Sequence, residues 1–244
     1  TDALGEGMRI ALPERLFEPD LALESVPTSL FEARDFALTL DGRGSCVKVR
    51  SENASPPDGP LTLECWVNAP SYSGRRPIVA KSETSEYYLF ASEGKPSFGV
   101  HVGGQYVTAE PTDLTLTPNQ WIHLAGVFDG REVRLYVDGK LVASKLGAGD
   151  RTKNALPLYV GADPNRRGEP VDTLLGRIDE VRLSDTARYA DDTFVPTPRH
   201  EPDARTLLLL HCDHDLGPFT IDHSPAGAHP MRLGQAKCLP ILSH

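Results

Sequence analysis

An all-β fold is predicted by three features of this sequence. Short segments of alternating apolar and polar residues recur along most of the chain. Gly, Pro, Ser and Asp-Gly turn residues stand between them at close intervals. Stretches with helical periodicity are scarce. Many short strands divided by turn residues describe a sandwich or a barrel.

The segments follow in order. Residues 1–35 carry Pro13, Pro19 and Pro27 and hold no helix of normal length. FALTLDG (36–42) alternates, and SCVKVR (45–50) repeats the pattern. SENASPPDGP (51–60) is loop sequence, and LTLECWV (61–67) sets Leu, Leu, Cys and Val against Thr, Glu and Trp. RPIVAKS, EYYLFAS, PSFGVHVG and QYVTAEP come next, then QWIHLAGVFDG, REVRLYVDG and KLVASKL, and then LPLYVGA and LLGRIDEVRLS. Asp129-Gly130 and Asp138-Gly139 lie between alternating segments. Such pairs supply the positive φ that a two-residue hairpin needs, so both read as turns of a three-stranded meander rather than as chemical groups. The best helical candidate is the short SDTARYADD (184–192), capped by Ser184 or Asp185. TFVPTPRHEPDAR (193–205) reads as extended connection and TLLLLHCD (206–213) as a further strand.

Bulk properties narrow the function. The chain has 244 residues with a formal charge of −9 and a pI near 5.4. An acidic surface repels phosphate backbones, so nucleic acid is not an expected partner. The longest apolar run, LLLL at 207–210, is far short of a membrane span, so no insertion is expected. The chain begins at Thr1 without a charged-then-apolar leader, as a trimmed or mature fragment would. Cys46, Cys65, Cys212 and Cys238 form no CxxC pair. They suit either buried thiols or disulfides of an exported protein, in any of three pairings.

LTLECWVNAP, IVAKS, QWIHLAGVFDGREVRLYVDGKLVA, LYVGAD and GRIDEVRLSDTARY, in that order, resemble the landmarks of the laminin-G-like domain of the concanavalin-A-like lectin and glucanase superfamily. The resemblance spans roughly residues 36–190. It implies a jelly-roll β-sandwich of two antiparallel sheets over 36–192, with 1–35 as an N-terminal extension packing on it. Within 193–244, the stretch 203–234 resembles a segment that usually precedes such a domain; it either closes this sandwich from the C-terminal side or begins a second, truncated module. An apolar strand left alone would invite aggregation, so this segment is expected to close the same sandwich.

The resemblance also frames the site. Glucanases of this superfamily place catalytic carboxylates on alternate positions of one strand, about 5–5.5 Å apart for retention. Here Glu64 stands alone on its segment, and the adjacent Asp179 and Glu180 should face opposite ways. No other catalytic motif is present, so no enzymatic activity is expected. A structural calcium ion is implied, with Asp179 at the late acidic position and Asp41 as the early contributor. The HCDHD run (211–215) meets no transition-metal spacing template.

Sugar sites set aromatic faces and polar groups on exposed surfaces. The candidates on or beside rim loops are Tyr72, Arg75, Arg76, Tyr87, Tyr88, Tyr106, Arg166 and Arg167, with the arginines suited to acidic sugars. Of Tyr87 and Tyr88, one should face outward. The expectation is a non-catalytic carbohydrate-binding module of a secreted, periplasmic or cell-surface protein, bacterial in style, whose partner is a glycan or polysaccharide. The alternative is a protein-interaction or spacer domain.

Overall fold

The computed structural model describes residues 35–241; the N-terminal extension expected over 1–35 lies, apart from Asp35, outside them. Among the described residues seventeen strands are formed. They are β1 (Asp35–Asp41), β2 (Cys46–Val49), β3 (Leu61–Asn68), β4 (Arg75–Lys81), β5 (Tyr87–Ser92), β6 (Lys95–Val102), β7 (Gln105–Ala109), β8 (Ile122–Phe128) and β9 (Glu132–Val137). After them come β10 (Lys140–Leu146), β11 (Leu158–Val160), β12 (Asp163–Pro164), β13 (Pro170–Val171), β14 (Leu175–Ser184), β15 (Thr206–Leu210), β16 (Met231–Leu233) and β17 (Lys237–Ile241). Among the described residues no α-helix forms, and no helix is long and apolar enough to cross a membrane.

Two large antiparallel sheets build the sandwich. The first runs β10-β9-β8-β3-β14-β1-β17, with β15 beside the far half of β14. The second runs β16-β2-β11-β4-β5-β6-β7. The C-terminal segment therefore adds strands to both sheets: β15 and β17 to the first, β16 to the second.

Alternation sends every second side chain of these strands into the space between the sheets. Leu61, Leu63, Cys65 and Val67 of β3 go inward. Tyr87, Leu89 and Ala91 of β5 meet them from the other side, with Phe98, Val100 and Val102 of β6. Gly126 of β8 is what allows the Phe98 ring to settle against the opposing sheet, since a Cβ there would overlap the ring.

Asp138-Gly139 forms the expected hairpin, with φ of 48° and 73° between the paired Val137 and Lys140. Asp129-Gly130 differs. Its loop is longer, because Phe128 pairs with Val133. The Asp129 carboxylate accepts the amides of Arg131 and Glu132, each at 2.9 Å, and pairs with Arg134. A side-chain-closed turn replaces the two-residue one.

The helix expected over 184–192 is also absent. Arg188 is held instead by Ser184 at 2.6 Å and by both carboxylate oxygens of Asp203, and Tyr189 by Glu64. Tertiary anchors outweigh a weak local preference. Residues 185–200 become an extended strap on the outer face of the first sheet. Tyr189 and Phe194 stack there at 3.6 Å over Tyr136.

Candidate functional site

The two sheets turn different outer faces to their surroundings. On the second sheet, Tyr88 and Phe90 of β5, Ser97 and Gly99 of β6, and Tyr106 and Thr108 of β7 share the outward side. Tyr88 lies opposite Gly99, which lies opposite Thr108. The Tyr88 ring crosses over Gly99, and its hydroxyl meets Thr108 Oγ1 at 2.9 Å. Any Cβ at Gly99 would collide with that ring. Tyr88 stacks on Phe90 at 4.3 Å and meets Tyr106 edge-on at 5.2 Å. The Tyr106 hydroxyl donates to the Ser85 carbonyl at 2.7 Å.

Arg75 closes one side. Its guanidinium lies 4.5 Å above the Phe90 ring and pairs with Asp163 at 2.6 Å and Asp172 at 2.8 Å. Asp163 also accepts the Ser82 hydroxyl. Burial raises the Asp163 pKa, opposed by the bonds from Ser82 and Arg75. The resulting groove has a volume of about 390 Å³, with Glu83, Ser92 and Glu110 at its rim. Its walls are chiefly hydroxyls and carboxylates around a small aromatic floor, the kind of lining that recognises polyhydroxylated rings.

Three of the eight residues expected at a ligand site, Arg75, Tyr88 and Tyr106, therefore meet in one groove. Tyr72 and Tyr87 require correction. They are 3% and 0% exposed in the core, and the Tyr87 hydroxyl is consumed by the Ala54 carbonyl at 2.6 Å. Alternation identified one outward tyrosine of the 87–88 pair but not which. Arg76 lies beside Asp41 and Thr173 in a separate depression. Arg166 pairs with Glu83 at the groove's rim, and Arg167 is exposed on the same loop. Phe90, Ser97, Asp163 and Glu110 were not expected. For Phe90, Ser97 and Glu110 the signal is the alternation they share with Tyr88, which needs the strand register to be read, while Asp163 comes from β12 outside that sheet and is brought in by Arg75 and Ser82. The proposed fit to acidic sugars also weakens, because Arg75 already serves two carboxylates.

Asp41 and Asp179 do not share an ion. Asp41 pairs with Leu175 on β14, four residues from Asp179, a separation of about 13 Å along a strand. Oxygen ligands of one calcium ion stand 2.3–2.6 Å from it, so roughly 5 Å is the most two can be apart. Asp41 instead accepts the amides of Arg43 and Ser45 in its own turn, and the Ser45 hydroxyl above all lowers its pKa. Asp179 and Glu180 were expected on opposite faces. A β-bulge lies between Asp179 and Arg182, with Glu180 at φ 50°, and both side chains are buried, Glu180 accepting the His200 amide of the strap at 2.7 Å.

The outer face of the first sheet is covered. Glu64 of β3, His123 of β8 and His200 of the strap meet beneath it, all buried. Glu64 Oε2 lies 3.4 Å from His123 Nε2 and 3.7 Å from His200 Nε2. Arg182 binds Glu64 Oε1 through two nitrogens, and the Tyr189 hydroxyl donates to Oε2 at 2.7 Å. Burial would raise the Glu64 pKa, but His123, His200 and Arg182 outweigh it and hold it at about 2. Burial drives the His200 pKa down to about 3. Two imidazoles and one carboxylate are zinc-type donors. Arg182, however, already supplies Glu64 with a buried countercharge, so a dication would add uncompensated charge. The cluster is best suited to pinning the strap.

A laminin-G family model described as the concanavalin A-like lectin/glucanases superfamily matches residues 41–192, and the chain belongs to that family. Among curated proteins, mouse pappalysin-1 is 26% identical over 126 residues, covering 44% of this chain and 8% of its own length. Among solved structures, a provisionally assigned carbohydrate-binding protein of Bacteroides ovatus superposes with a TM-score of 0.65 at 18% identity, over 87% of this chain and 62% of that one. Domains LG4-5 of the mouse laminin α1 chain give 0.52 at 19% identity, over 68% and 48%. The CBM40 of a Ruminococcus gnavus IT-sialidase, bound to α2,3 sialyllactose, gives 0.51 at 11% identity, over 64% and 92%. At these identities the likeness is one of fold.

Proposed function

We propose that this domain is a non-catalytic carbohydrate-binding module of an exported or surface protein, with its ligand site in the groove on the outer face of the second sheet. The observation that carries the reading is the Tyr88–Phe90 stack, floored by Gly99 and ringed by Arg75, Asp163, Ser97 and Glu110. A sugar ring packs on the edge of such a stack while its hydroxyls donate to carboxylate and serine oxygens. Carboxylates outnumber arginines around the groove, which favours a neutral saccharide over an anionic one. The Bacteroides and Ruminococcus neighbours lend support at the level of fold, since one is assigned to carbohydrate binding and the other holds a sialylated sugar.

The test is a panel of neutral oligosaccharides and polysaccharides with α2,3 sialyllactose alongside, run with calcium and again with chelator. The reading expects binding to a neutral member that survives chelation. Binding to none removes it, and preference for sialyllactose reverses its charge argument.

A second reading has an observation of its own. A depression of about 550 Å³ between β2 and β16 is lined by Lys48, Val49, Phe219 and Met231. Phe219 and Met231 are 49% and 47% exposed. Half-exposed apolar side chains on a sheet edge suit a protein segment better than a sugar. A charged substitution at Met231 that abolishes capture of a partner while sparing glycan binding would establish it as a separate surface.

A further inference from the structure

The four cysteines carry free thiols but do not stand in equivalent places. Cys65, on the central strand β3, is buried in the main core cluster, and Cys46 in a small cluster with Tyr159 and Ala162. Burial raises the pKa of both. Cys212 and Cys238 lie together. Cys238 of β17 sits opposite Leu38 of β1 in register, and the Leu38 amide reaches the sulfur of Cys212. The two thiols are within hydrogen-bonding reach of one another. Arg232 holds a guanidinium nitrogen 3.7 Å from the Cys238 sulfur.

We propose that Cys212 and Cys238 are a disulfide-forming pair that staples the C-terminal strand β17 to the segment leaving β15. The reaction needs an oxidant, and a small disulfide such as oxidised glutathione supplies it. Cys238 is the attacking sulfur. The neighbouring Cys212 thiol and, after burial is overcome, Arg232 favour its thiolate. It attacks one glutathione sulfur, the glutathione S–S bond breaks, and one glutathione leaves and takes up a proton. Cys212 then gives its proton to solvent and attacks the Cys238 sulfur, expelling the second glutathione. The protein loses two protons and two electrons, and the oxidant gains both as two thiols.

Access comes from topology. The strand β17 ends the order of its sheet and pairs with β1 alone. An edge strand opens locally without unfolding the sandwich. Once closed, the bond joins the ends of the 212–238 segment, which contains β16 of the other sheet. It would hold both sheets' C-terminal additions in place. Cys46 has no other cysteine in its cluster, and Cys65, though it shares the large core cluster with Cys212 and Cys238, lies on β3 in the middle of its sheet rather than on an edge strand, so both should remain reduced.

The test equilibrates the full chain in reduced and in oxidised glutathione buffers, alkylates remaining thiols in denaturant, and maps the peptides by mass. The expected result is a Cys212–Cys238 cross-link in the oxidised sample, with Cys46 and Cys65 alkylated. Melting temperature should rise by about 5–15 °C on oxidation, and Cys238→Ser should lose the rise. Alkylation at all four positions after oxidation, or a cross-link between another pair, would overturn the assignment. Mapping of the unsubstituted chain decides the matter even if Cys238→Ser fails to fold.

Discussion

The outer faces of the two sheets begin alike and end differently. Each carries a row of aromatic and charged side chains on alternate strand positions. On the first sheet a strap covers Glu64, His123 and Arg182, and adds His200, Tyr189 and Phe194 of its own. On the second, Tyr88, Phe90, Tyr106 and Asp163 border an open groove. The same residue types therefore do two jobs. On both faces they pair with one another; covered, they also fix a chain segment, and uncovered, they line the groove proposed for a ligand. Residue type alone does not separate these fates, because the covering strap comes from more than a hundred residues further along the chain than Glu64.

The largest effect that would sharpen this contrast is expected on the covered face. Glu64→Ala leaves Arg182 buried without its carboxylate, a defect worth about 3–5 kcal/mol. Chemical denaturation should register that loss. Glycan binding should persist wherever the variant remains folded. Lost binding with unchanged stability would break the division between the faces.

Gly99→Val acts on the open face and should cost about 1–3 kcal/mol, the range for an overpacked site. The added side chain must displace the Tyr88 ring, so binding to any glycan the groove accepts should disappear.

Acid should act on the covered face. The His200 pKa is lowered to about 3, so the unfolded chain binds the extra proton between about 6.5 and 3. Stability from this group is complete above pH 6.5 and is lost as pH falls. For one site that is about 2 kcal/mol between pH 7 and 5. Glu64, with a pKa held at about 2, adds to the loss below its unfolded value near 4.3. Denaturation at pH 7 and pH 5 should show the fall, and His200→Gln should flatten it above pH 5. The smallest effect is expected from Arg166→Ala, whose pairing with Glu83 is exposed; stability should stay within about 0.5 kcal/mol.

Much of the fold was legible because strand alternation and Asp-Gly turns are local signals. Asp138-Gly139 needed only its own two residues and the paired strands beside it. Asp129 departed from the same pattern because Arg134, five residues on, recruits its carboxylate. The first part of the strap is the best helical candidate in the sequence but forms no helix, because Arg188 and Tyr189 answer to Asp203 and Glu64, which local periodicity does not contain, whereas its continuation from 193 reads as extended. The site was legible only in part. Alternation limited Tyr87 and Tyr88 to one outward ring, but choosing Tyr88 required knowing which side of β5 faces β3 and β8. The pairing of Asp41 and Asp179 failed on register, a long-range quantity.

The measurement that tests the central claim most directly is a glycan titration of the unsubstituted chain beside Tyr88→Ala, with melting temperatures recorded for both. If the open face is the ligand site, affinity for the best neutral saccharide falls at least about tenfold, the equivalent of 1.4 kcal/mol and within the usual worth of an aromatic contact, while the variant stays folded. Equal affinity in the two proteins would place the sugar elsewhere and contradict the account.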